Sequence, residues 1–163
     1  MLDDEYFMRR CLKLGRRAMA NGDVPVGSLV VFDGRVVAEG IESVRFKSDV
    51  TAHAEIEAIR LACETQQSLD LTGATLYTNV EPCWMCSCAI RLTNIGRVAF
   101  GSKNEEVGGV SSEFAVLSYT DVPNWAIVPL IEQDVLLGEC DALLREFQTR
   151  KLNRPSIEIA PGR

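Results

Sequence analysis

Positive charge does not predominate in this chain: 17 Lys and Arg face 23 Asp and Glu, for a net charge of −6. A chain-wide basic field for gripping a phosphate backbone is therefore missing, and a nucleic-acid partner has to be argued locally. No stretch approaches the roughly 18 consecutive apolar residues of a membrane span. The acidic opening Met1-Leu2-Asp3-Asp4-Glu5 has no apolar run behind it to serve as a secretory leader. A cytoplasmic protein with no membrane partner is expected. Internal repeats, low-complexity segments and linkers are absent as well. Histidine is nearly so, since His53 is the only one in 163 residues. Any chemistry that needs an imidazole must use it.

What is present is the ordinary balance of one soluble domain, 47% hydrophobic and 25% charged. A chain of this length buries roughly two-thirds of its unfolded surface, enough for a core without disulfides. Residues 1–152 read as one domain, and residues 153–163, with two prolines, as a flexible tail. Basic residues cluster in Arg9, Arg10, Lys13, Arg16 and Arg17 and again in Arg145, Arg150, Lys151 and Arg154, which read as solvated helix faces. Cys11, Cys63 and Cys140 stand singly within helical patterns, whereas Cys83, Cys86 and Cys88 crowd together. In a reducing compartment such a crowd points to metal ligation rather than disulfides.

Apolar spacing predicts a helix over residues 4–20, stopped by Asn21-Gly22. Two β-rich runs, 28–32 and 35–38, flank Asp33-Gly34, a strong hairpin signal. Thr51 is suited to cap a helix running to about Cys63. A strand over 74–80, a helix opened by Pro82 over 83–92 and a strand over 97–100 make a parallel crossover. A glycine-rich loop at 101–112, a weak helix, a short strand at 126–131 and a last helix over 135–152 follow. The layout predicts a three-layer α/β/α sandwich with a mixed five-stranded sheet.

Two short segments carry the chemistry: Thr51-Ala52-His53-Ala54-Glu55 and Glu81-Pro82-Cys83-Trp84-Met85-Cys86, each at the start of a predicted helix. His53, Cys83 and Cys86 form a three-ligand zinc set whose fourth position is open to water, the pattern of catalytic rather than structural zinc. Helix amino ends also favour thiolates. Zinc lowers the pKa of its water to about 7, and Glu55, two residues past the ligand, is placed to move the protons. Taken singly, His53 reads as a capping or packing residue, and Cys83 with Cys86 as a redox pair or half of a closed zinc site. Cys88 turns to another side of the helix and reads as a small buried hydrophobe.

Jointly, His-x-Glu followed by Pro-Cys-x-x-Cys is the signature of zinc nucleobase deaminases. The chain resembles the cytidine deaminase-like superfamily, in the branch of tRNA adenosine deaminases and free-base cytosine and guanine deaminases. The likeness extends from Val24-Pro25-Val26-Gly27 to Gly138-Glu139-Cys140-Asp141-Ala142-Leu143-Leu144, and these end segments look most like the tRNA enzymes. The resemblance implies one zinc per subunit on His53, Cys83 and Cys86, proton transfer by Glu55, and substrate contacts from the Ala54 amide, the Glu81 carbonyl and Val26. It also implies a homodimer.

Three departures bear on the substrate. The branch carries asparagine eleven residues before the ligand histidine, where this chain has Glu42. An ionised glutamate only accepts hydrogen bonds, so a pocket-facing Glu42 favours a ring with a donor-rich edge, such as guanine, isocytosine, a pterin or an aminotriazine; in a different loop register it faces solvent. Trp84 stands between the cysteines, where a smaller residue is usual, and either walls the pocket or packs under the loop. From Gly101 to Glu146, Lys103 and Arg145 face nine acids, including Glu105 and Glu106, which would repel an anticodon backbone. These features favour a zinc-dependent hydrolase that deaminates a small nucleobase-like ring. A tRNA wobble adenosine deaminase is the first alternative, and a non-catalytic zinc scaffold the second.

Overall fold

The Asp33-Gly34 pair turns the chain between β1 (Gly27–Phe32) and β2 (Arg35–Ile41), with both residues at positive φ, 49° and 73°. That backbone is what a two-residue hairpin of the right twist requires. The computed structural model describes residues 3–121, 125 and 127–152. β1 also pairs antiparallel with β3 (Thr75–Val80), which runs parallel to β4 (Arg97–Ser102), which runs parallel to β5 (Leu130–Glu132). The sheet order is β2-β1-β3-β4-β5.

Side-chain alternation along the central strands builds two cores. Val30, Leu76 and Val98 point to the face covered by α3 (Ala54–Gln66) and α4 (Trp84–Leu92), where they join Ala58, Ile59 and Ile90. Their neighbours Leu29, Tyr77 and Ala99 point to the other face, under α1 (Asp4–Ala20) and α5 (Leu137–Leu152). The three-layer sandwich expected from the sequence is thus observed, and α4 makes the crossover between the parallel strands β3 and β4. Across the α1 side, Arg97 grips Asp4 through Nη1 at 2.8 Å and Nη2 at 2.7 Å, and the Tyr77 hydroxyl donates to the same carboxylate.

Local readings shift in four places. A short helix, α2 (Val44–Lys47), was not expected; the buried Asp23 carboxylate pins its start by accepting the Arg45 and Phe46 amides at 2.7 and 3.1 Å. Thr51 caps no helix, because its amide and hydroxyl both donate to Asp49, and α3 begins after His53 instead. The weak helix after residue 112 is absent from residues 113–121, and the last strand spans only Leu130–Glu132. Ala126, in the expected strand, and the expected tail at 153–163 lie outside the described residues. Among the described residues, no helix is long and apolar enough to cross a membrane.

Candidate active site

Two helix starts on the same face of the sheet converge. His53 is the N-cap residue of α3 and Cys83 that of α4, and neither side chain caps its own helix. Cys86, one turn into α4, reaches the same point. His53 Nδ1 lies 3.6 Å from each sulfur, and the sulfurs lie 3.7 Å apart. Tetrahedral zinc with bonds of about 2.3 Å to sulfur and about 2.0 Å to nitrogen requires ligand separations of roughly 3.5–3.8 Å. The three donors fit the ion, and they are the one such metal-ligating cluster among the described residues.

The three donors perturb one another's protonation. The close contact with Cys86, with His53 beside it, pulls the Cys83 thiol down to about 4. The Cys83 contact pushes His53 up to about 9. Cys86 moves the other way, its thiol raised by the Cys83 contact and by burial. Glu55 follows on the first turn of α3, almost fully buried. Its Oε2 lies 3.5 Å from Cys86 Sγ, and its Oε1 accepts from the Thr78 hydroxyl at 3.4 Å. Burial raises its carboxyl above the ordinary range, as suits a group that gives and takes protons near neutrality.

The site opens into a cavity of about 230 Å³ lined by Val26, Glu42, His53, Glu55, Glu81 and Cys83. Asn104 and Val107, from the loop after β4, complete its rim. Glu42 is buried rather than solvent-facing, and burial raises its carboxyl to about 7. Its Oε2 accepts the Ala54 amide at 3.2 Å. The Ala54 N–H expected to meet substrate is therefore engaged by protein.

Two further expectations change in detail. The Glu81 side chain, unremarked in the sequence, holds the rim: its oxygens accept the amides of Asn104, Val110 and Ser111 at 2.7–2.8 Å. No sequence signal marks that cradle, because its donors are backbone groups. Trp84 does not wall the cavity. Its indole donates to the Ser112 hydroxyl at 2.9 Å and its ring meets Phe114 edge-on, so it packs under the loop.

Glu105, Glu106, Asp134 and Asp141 share a bowl at the amino end of α5 with Lys103, which pairs with Asp134 at 3.6 Å. About 15 Å further along that helix, at 1.5 Å per residue, Phe147, Arg150 and Lys151 meet Met19, Gly22 and Arg45 around a second concavity of about 140 Å³. The two bonds from Asp23 to the Arg45 and Phe46 amides tie this basic concavity to the segments that carry Val24, Val26 and Glu42.

Residues 1–102 match the family model for the cytidine and deoxycytidylate deaminase zinc-binding region. The chain is 38% identical over 144 residues to a tRNA-specific adenosine deaminase of Aquifex aeolicus, covering 86% of this chain and 95% of that protein. It is 36% identical over 151 residues to one from Agrobacterium fabrum, covering 93% and 97%. A solved structure from work on A-to-I editing by tRNA:A34 deaminases at the wobble position superposes with a TM-score of 0.79 at 37% identity, covering 85% of this chain and 99% of that one.

These likenesses overturn the preference for a free nucleobase-like ring and the reading that tRNA is disfavoured. Glu42 lines the cavity and its Oε2 accepts a protein N–H, so the carboxylate also secures the start of α3. Of the nine acids between Gly101 and Glu146, four line the bowl beside Asn104, while Glu146 is paired with Arg16 and Arg150, so they do not form one repulsive face.

Proposed function

We propose that this chain, which belongs to the cytidine and deoxycytidylate deaminase family and is a zinc-dependent hydrolytic deaminase, converts an adenosine of tRNA to inosine at the wobble position. The observation that carries the substrate is the near-full-length identity to tRNA-specific adenosine deaminases. The basic concavity, tied through Asp23 to the segments that carry Val24, Val26 and Glu42, supports it, since Arg45, Arg150 and Lys151 offer phosphate contacts there.

His53, Cys83 and Cys86 would hold the zinc, which when bound makes water acidic enough to yield a nucleophile near neutral pH. Glu55 would take one proton from the attacking water and give it to the ring nitrogen beside the amino-bearing carbon, then take a second from the added hydroxyl and give it to the departing amine. The overall change consumes one water and releases one ammonia per adenosine. Thr78 fixes the Glu55 carboxylate by its hydroxyl bond. Val26 lines the wall against which the ring lies, and Glu81 keeps the rim in place through its three amides. A tRNA substrate carries with it a cytoplasmic location. Exposed Phe46, Leu61 and Leu92 support a homodimer.

Incubating the purified protein with a tRNA bearing adenosine at the wobble position, and reading inosine by sequencing, tests the proposal. Inosine at that position is expected. Deamination of free guanine with none of the tRNA would overturn it.

A further inference from the structure

Arg91 lies on α4 two turns beyond Cys83 and is 1% exposed. No carboxylate pairs with it among the described residues. Instead its Nη1 donates to the carbonyls of Val116, Leu117 and Tyr119 at 3.3, 3.3 and 2.9 Å, and its guanidinium lies over the Trp125 ring at 4.9 Å from the centroid. Burying a cation against neutral carbonyls costs more desolvation than an apolar residue would. A bare packing role would be filled better by leucine.

The carbonyls it holds belong to the lower pass of the loop that rims the cavity. From there the contacts run directly to the site. The Leu117 amide donates to the Gly109 carbonyl at 2.9 Å, and the Gly109 amide donates to the Pro82 carbonyl at 2.9 Å, one residue before Cys83. At Gly109 the two passes press so closely on α4 that a Cβ would stand 2.1 Å from Ser87 Oγ and 3.0 Å from Leu117. The upper pass carries Asn104 and Val107 on the rim, and its Val110 and Ser111 amides reach Glu81.

We infer that Arg91 is a positioning residue for the substrate: it anchors the 113–119 pass so that the 104–111 pass stands at the height the substrate meets over the zinc cavity. The role rests on the tRNA reading only for the identity of what is met. Arg91 touches no reacting atom.

The test compares wild type with Arg91→Met, which keeps the aliphatic length and removes the charge, and with Arg91→Lys, which restores one cationic donor group. Hydrogen exchange reads the amides of Gly109, Val110, Ser111 and Leu117, zinc per chain is measured, and KM and kcat are taken with tRNA bearing a wobble adenosine. Arg91→Met is expected to keep its zinc, to exchange those amides about tenfold faster, and to raise KM roughly five- to tenfold with kcat within about twofold. Arg91→Lys should fall between the two, and it carries the test if the Met variant does not fold. Unchanged exchange at those amides overturns the inference, as does faster exchange with an unchanged KM. If wild type forms no inosine the tRNA reading fails, and the exchange comparison still decides whether Arg91 holds the loop.

Discussion

Glu42 Oε2 accepts the amide of Ala54 at 3.2 Å, so the carboxylate of one loop ends the helix that carries both His53 and Glu55. That helix start has no other side-chain cap. Glu42→Ala is expected to lower stability by about 0.5–2 kcal/mol, the range for a lost N-terminal acceptor, while Glu42→Gln, whose carbonyl still accepts, stays close to wild type. Denaturant unfolding of the two variants checks it.

Glu55→Ala should retain zinc and fold yet lose ammonia release by at least about a hundredfold, the scale of a positioned proton carrier. Metal analysis beside an ammonia assay separates this from loss of the ion. Full activity in that variant would remove Glu55 from the reaction.

Cys86→Ser, by contrast, should lose the metal itself. The expected result is less than one zinc per chain, no activity, and a lower melting temperature than wild type, because an ion that binds only the folded chain stabilises it by mass action. A chelator on wild type should reproduce all three effects, and added zinc should reverse them.

Arg45→Glu and Lys151→Glu should weaken tRNA binding across sequences and flatten the dependence of log affinity on log salt by roughly one unit for each phosphate contact removed. Zinc content should not change. Binding titrations at several salt concentrations read the slope, and an unaltered slope in both variants would place the tRNA elsewhere.

The Asp4–Arg97 pair predicts an acid sensitivity. The Arg97 guanidinium, with help from Tyr77, holds the Asp4 carboxyl below its ordinary value of 3.8. A depressed folded-state value means that the stabilisation is present above that ordinary value and is lost as pH falls through the folded one. Asp4→Asn is expected to cost about 1 kcal/mol at pH 7 and progressively less below pH 4. Melting curves of both proteins across that range make the comparison.

Much of this architecture was legible in the sequence because it is written in local chemistry. Asp33-Gly34 names its own turn, and the apolar spacing of α1 names its buried face. His53, Cys83 and Cys86 could be grouped because metal ligation limits the residue types allowed at each place. What escaped depends on distant partners. α2 exists because Asp23, some twenty residues earlier, receives its first amides. Arg91 looks like any surface arginine until the loop folds over it. The bond that Glu42 accepts from the Ala54 amide can be seen only in three dimensions. A charge sum along the chain misses pairing in space: Glu146 is held by Arg16 and Arg150, and Lys103 stands beside Asp134.

The donors at the centre come from two segments thirty positions apart in the chain, and they meet only after α3 and α4 have both settled on one side of the sheet. A fragment that ends before β3 offers a single imidazole, and one that begins at Pro82 offers only sulfur. The complete donor set therefore exists only where the starts of α3 and α4 stand together, so zinc per chain reports that junction of the fold.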